Sequence, residues 1–202
     1  GGWGYAMGPP ARGSGDPMAT SNLTSTCFAC GALRFAGLKA EDARMQAALP
    51  FVERCQHPAD GGFFACPGDS VLNKAGPGVS YGSASCDGLR CLHLLGASPE
   101  RCQLALGWLE QHFSAQVQPG DFPSSRWEDR DSLYYYYLWS AAHALRSEPG
   151  WAPQRRAMRE QLVALQSPDG SFRNRLGATR EDDPLVATPM ALAGLALSGP
   201  GR

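Results

Sequence analysis

Charge is what this sequence has least of. Only 18% of its 202 residues are Asp, Glu, Lys or Arg, and the formal net charge is −1. With no basic run and a charge near zero, the footprint of a nucleic-acid binder is missing, and no such partner is expected. No apolar stretch reaches the roughly 18 residues that a membrane span needs, so no transmembrane segment is expected. The N-terminus, Gly1-Gly2-Trp3, has no basic-then-apolar signal pattern, and a leader removed earlier is left open. A disulfide framework is also missing. The seven cysteines (27, 30, 55, 66, 86, 91 and 102) are odd in number and mostly fall in apolar helical patterns, where Cys acts as a small hydrophobe. Buried, reduced thiols and a cytoplasm-like compartment are expected. Metal signals are equally sparse. Cys27-Phe28-Ala29-Cys30 lies within an apolar helical pattern with no second pair, and His57 with Cys55 and Cys66 follows no ligand spacing. No metal and no other cofactor is expected.

What the chain has in quantity is turns, with Gly 24 and Pro 16. Four Gly-rich turns carry an aromatic residue: Gly1-Gly2-Trp3-Gly4, Asp60-Gly61-Gly62-Phe63, Gly120-Asp121-Phe122 and Asp169-Gly170-Ser171-Phe172. A recurrence every 50–60 residues, about one helical hairpin, marks a repeat protein. Two kinds of helix alternate between the turns. Thr24 to Gly37, Ser83 to Gly96, Tyr134 to Ser147 and Pro184 to Gly199 are small and apolar nearly all round, which predicts burial on every face. Glu41 to Gln56, Pro99 to Phe113 and Pro153 to Gln166 are amphipathic, with a stripe such as Leu104, Leu106, Trp108, Leu109 and Phe113. The fold class is therefore all-α. An inner layer of apolar helices is flanked by an outer layer of amphipathic ones.

Aligning the apolar helices on their final Gly gives a common register. Asn22, Tyr81 and Pro184 become equivalent, as do Thr26, Ser85 and Thr188. The third helix fits less cleanly, with Leu138 near the hydroxyl position. In Gln166-Ser167-Pro168-Asp169-Gly170-Ser171-Phe172 the Gly supplies a turn conformation, the Asp can bond nearby backbone amides and the Gln amide can satisfy free groups at the helix end.

The Gln-x-x-Asp-Gly-x-Phe turn, with small-residue inner helices such as Ser80-Tyr81-Gly82-Ser83-Ala84-Ser85-Cys86-Asp87-Gly88-Leu89, resembles the prenyltransferase/squalene-cyclase repeat superfamily, in particular bacterial members without an assigned reaction. The resemblance spans the whole chain. It implies an α/α toroid, a barrel of helical hairpins around a deep apolar cavity for isoprenoid chains. Seven expected helices do not close a ring of about six hairpins. Residues 1–202 thus read as one repeat domain, incomplete at the N-terminus and open at the C-terminus, its free face left for further repeats, a partner chain or self-association.

The resemblance also locates where chemistry belongs, at the N-termini of the inner helices. The acid motif of the cyclases, Asp-x-Asp-Asp-Thr, falls on Pro184-Leu185-Val186-Ala187-Thr188, where only the Thr matches. The zinc ligands of the prenyltransferases fall on Tyr81, Ser83 and Ala187, none of which suits zinc. Catalysis is therefore not supported. Asp182 and Asp183 are weak catalytic candidates, since acids at a helix start are stabilising without any chemistry. Asn22, Thr24, Tyr81 and Ser83 are the expected ligand-binding residues at the cavity mouth, joined by Tyr134 and Tyr137 from the run Tyr134-Tyr135-Tyr136-Tyr137. Lys74, Arg126, Arg130, Arg173 and Arg175, beside Asp69, Glu128 and Asp129, form an expected rim that could hold a diphosphate. The expected function is binding of an isoprenoid or other long apolar molecule. A non-catalytic helical repeat that binds a peptide or protein is the alternative, favoured if the barrel is filled.

Overall fold

The computed structural model describes residues 1–6, 16–68 and 71–199, so Asp69 lies outside the described residues. The elements are α1 (Leu23–Phe35), α2 (Ala43–Cys55), α3 (Gly82–Leu95), α4 (Pro99–His112), α5 (Trp127–Asp131), α6 (Tyr134–Ala144), α7 (Ala152–Leu165) and α8 (Pro184–Leu197). Among the described residues there is no strand, only two isolated bridges, Gln56 with Phe63 and Tyr81 with Gly120. The all-helical class and all seven expected helices are present. The addition is α5, which follows a 3-10 turn at Ser124–Arg126. Five residues are too few for a hydrophobic period to show in sequence.

The four apolar helices pack in chain order, α1 on α3, α3 on α6 and α6 on α8. The amphipathic ones flank them: α2 lies on α1 and α3, α4 on α3, and α7 on α6 and α8. The second and fourth turns are built by the same set of bonds. Gln56 Nε2 donates to the Gly61 carbonyl (3.1 Å) and Gln166 Nε2 to the Gly170 carbonyl (3.0 Å). Asp60 Oδ1 accepts from the Gly62 amide (2.8 Å) and Asp169 Oδ1 from the Ser171 amide (2.9 Å). Gly61 and Gly170 turn with φ of 79° and 83°, a region that side-chain-bearing residues enter only with strain.

The aromatic residue of each turn is then fixed to an inner helix. The amides of Trp3, Phe63 and Phe172 donate to the hydroxyls of Thr26, Ser85 and Thr188, at 3.0, 2.9 and 3.0 Å. The register read from sequence is thus a hydrogen-bonding register. The third turn departs from it, with the Phe122 amide bonding the Gly120 carbonyl (3.0 Å), and the buried Leu138 offers no hydroxyl. Below the second turn the Phe63 ring lies against Gly88, where a Cβ would come within 2.4 Å of the ring.

Burial of the inner helices is uneven. α3 is buried along nearly its whole length, as expected. α1 and α8 are not: Phe35 is 97% and Leu185 83% exposed. An apolar helix is covered only where neighbours exist, and these two stand at the ends of the inner row, each packed chiefly against one inner neighbour. All seven cysteines are free thiols and six are buried. Burial pushes the Cys30 thiol up to about 12, with a smaller push from Cys27.

Ser85→Ala leaves the buried Phe63 amide without its acceptor. It should lower unfolding free energy by about 1–3 kcal/mol, the cost of a buried unsatisfied donor, in urea denaturation.

Candidate functional site

The N-terminal ends of the inner helices surround one cavity of about 390 Å³. Asn22 and Thr24 reach it from α1, Tyr81 and Ser83 from α3, Leu133 and Tyr136 from α6, and Met190 from α8. Tyr5, Ala65, Leu72, Lys74 and Thr179 complete the wall. Four of the six expected ligand-binding residues, Asn22, Thr24, Tyr81 and Ser83, are therefore brought together.

Several of these residues already have structural partners. Asn22 caps α1, its Oδ1 accepting from the Ser25 amide at 2.9 Å. The Ser83 amide donates to Gln118 Oε1 at 3.0 Å. The Tyr81 hydroxyl donates to the Leu72 carbonyl at 3.5 Å, and its ring meets Phe122 edge-on. Burial raises the Tyr81 phenol well above its usual range.

The four tyrosines point apart, as a helical run must. Tyr134 donates to the Ala115 carbonyl (2.6 Å) and Tyr137 to the Ser114 carbonyl (2.9 Å), so both face the outer layer and neither lines this cavity. Tyr135 packs edge-on against Phe172. The tyrosine in the cavity wall is Tyr136.

Tyr136 leads to the residue that sequence reasoning missed. Asp87 is fully buried in α3 and accepts four hydrogen bonds. Its Oδ2 takes the hydroxyls of Tyr136 (2.6 Å) and Thr24 (3.0 Å). Its Oδ1 takes the Ser140 hydroxyl (2.6 Å) and Arg90 Nη1 (3.2 Å). One carboxylate thus ties α1, α3 and α6 together beneath the cavity. Arg90 also sits over the Trp139 ring at 4.6 Å, and Trp139 stacks on Phe28 at 5.6 Å. Burial raises the Tyr136 phenol far above its usual range, and the neighbouring Asp87 adds to the effect. The available signal was an Asp within a helix expected to be buried on every face, with an Arg three residues on, one turn away on the same side. In the common register Asp87 stands where Phe28 and Met190 stand in α1 and α8.

The acidic run before α8 is structural. Asp183 caps α8, its Oδ1 accepting from the Leu185 amide at 2.9 Å. Asp182 is exposed. Neither lines the cavity. The buried Glu181 acts on a different helix: its carboxylate accepts from the Tyr135 and Tyr136 amides at 2.9 and 2.8 Å, at the start of α6. Burial raises its carboxyl, against the opposing pull of those amides.

The expected cationic rim does not converge. Lys74 lines the cavity and pairs with Asp129 at 3.3 Å. Arg126 also lies 3.8 Å from Asp129, and Arg130 pairs with Asp131 at 2.6 Å. Arg173 and Arg175 line a separate, smaller cavity of about 230 Å³ beside Tyr134 and Tyr135. Asp129 stands against two of these cations and Asp131 against a third, and the other two line a different cavity. At the far ends of the inner helices, Arg90, His93, His143 and Glu148 line a further cavity of about 400 Å³. There His93 Nε2 lies 3.4 Å from Glu148 Oε1, a carboxylate partner supplied by the segment before α7. Among the described residues no three His, Cys, Asp or Glu side chains are grouped to hold a metal ion. No described helix is long and apolar enough to cross a membrane.

No family model, curated protein or solved structure matches the chain.

Asp87→Ala should lower stability by about 3–5 kcal/mol in denaturant titration, because it strands a buried guanidinium. Adding Arg90→Met should recover at least about half of that loss, since an apolar side chain of similar length needs no counter-charge.

Proposed function

We propose that the protein binds an isoprenoid-like or other apolar small molecule in the cavity at the inner-helix N-termini, as a toroid of the terpenoid-cyclase and prenyltransferase kind. One observation carries this reading: four helices that pack chiefly in chain order all contribute to one cavity. That convergence is what a shared concave side produces. At about 390 Å³ the cavity lies at the lower end of the roughly 300–1,000 Å³ usual for small-molecule sites. Leu72, Leu133, Met190 and the rings of Tyr81 and Tyr136 give it an apolar and aromatic wall. The proposal is binding without conversion. The carboxylate beneath the cavity is committed to four hydrogen bonds, and the acids before α8 stand elsewhere.

Met190 is half-buried in the wall, away from the Asp87 bonds. Met190→Trp should fill the cavity and shift Tm by only a few degrees. Native mass spectrometry of protein incubated with lipid extract should show a bound apolar species on the unaltered chain and none on the variant. An unaltered protein that stays bare would count against the proposal.

The uncovered apolar sides of α1 and α8 favour a second role, packing against another protein surface, whether further repeats, a partner or a second copy. For a second copy, sedimentation velocity should show association that rises with concentration and is abolished by Phe35→Glu with Leu185→Glu. A monomer at all concentrations would remove self-association from this role.

A further inference from the structure

We infer that the cavity selects an apolar molecule ending in a hydrogen-bond donor, a hydroxyl in preference to an ether or a phosphate; this deepens the ligand-binding reading above and rests on it. Thr24 and Tyr136 both line the cavity. Each has a single hydroxyl proton. Both protons are directed to the same atom, Asp87 Oδ2, at 3.0 and 2.6 Å. A carboxylate accepts and does not donate. The two hydroxyls are therefore fixed as donors toward the protein, and what they offer an occupant is oxygen lone pairs.

The rest of the wall does not reverse this. The Asn22 amide is engaged on both sides, its Oδ1 by the Ser25 amide and its Nδ2 by the Thr20 carbonyl. The Tyr81 hydroxyl proton is engaged by the Leu72 carbonyl and the Thr179 hydroxyl proton by the Ser132 carbonyl. The Ser83 and Tyr5 hydroxyls in the wall can turn to donate or to accept, and so favour neither kind of occupant. Lys74 is the cation in the wall, and Asp129 already stands 3.3 Å from its ammonium. Arg90 reaches the other oxygen of Asp87, Oδ1. A phosphate head would meet one compensated cation and two oxygens that can only accept. An ether oxygen would meet the same two acceptors with no proton to offer. A hydroxyl supplies the missing proton.

The test is titration calorimetry with farnesol, farnesyl methyl ether and farnesyl diphosphate. The expected order has farnesol tighter than the ether by about 3- to 10-fold, the worth of one net hydrogen bond, with the diphosphate weakest. Thr24→Val should narrow the gap between alcohol and ether, and Thr24→Ser, which keeps the acceptor, should preserve it. Equal affinity for alcohol and ether, tighter binding of the diphosphate, or a gap unmoved by Thr24→Val overturns the donor-selective floor while leaving the cavity a ligand site. Binding of none of the three removes the ligand-binding reading as well. The three-ligand comparison on the unaltered protein decides the matter even if Thr24→Val does not fold.

Discussion

The structure depends on a bond between an inner-helix hydroxyl and the backbone amide of an aromatic turn residue. It occurs three times, at Thr26, Ser85 and Thr188. The bond does two things at once. It satisfies an amide that the turn would otherwise bury unpaired, and it sets the depth at which the aromatic ring enters the core. Outer and inner layers are therefore held in fixed relation by a contact too short to slide. The small residues of α3 follow from it. A ring held at that depth leaves no room for a Cβ at residue 88, so a glycine sits there.

The buried Asp87 makes a second constraint, separate from the first. The hydroxyl–amide bonds tie turns to helices, and the carboxylate ties α1, α3 and α6 to one another. Burying an ion is costly unless every lone pair is met, and here four donors meet it. Such a group contributes little net stability against an apolar replacement. Its value lies in fixing the rotamers of Thr24, Tyr136, Ser140 and Arg90 together. Two of those four residues form the cavity wall. A rigid floor gives the cavity a defined polarity, which a wall of freely rotating hydroxyls would lack.

Much of the fold was legible because its repeat is written in local chemistry. The Gln, Asp and Gly of the second and fourth turns act within five residues of one another, and that range is readable in sequence. The alignment of Thr26 with Ser85 and Thr188 came from helix ends alone, and the third repeat, where alignment faltered at Leu138, is where the bond is absent. The site was only partly legible. Asn22, Thr24, Tyr81 and Ser83 were found because helix starts mark the cavity. Asp87 was missed because its partners Tyr136 and Ser140 lie 49 and 53 residues away. The facing of each tyrosine was hidden for the same reason, since four in a row carry no period. Glu181 stands just ahead of α8 in the chain, yet it caps α6, two helices earlier.

That displacement of caps has a consequence for how the chain is made. The edge helices α1 and α8 complete their own starts, with Asn22 and Asp183. The two central helices do not. The Ser83 amide of α3 is met by Gln118, 35 residues later, and the first amides of α6 by Glu181, some 45 residues later. As the polypeptide leaves the ribosome, each central helix stays unfinished until the following hairpin has emerged. The middle of the protein is thus stitched backward, a later segment closing the seam of each central helix.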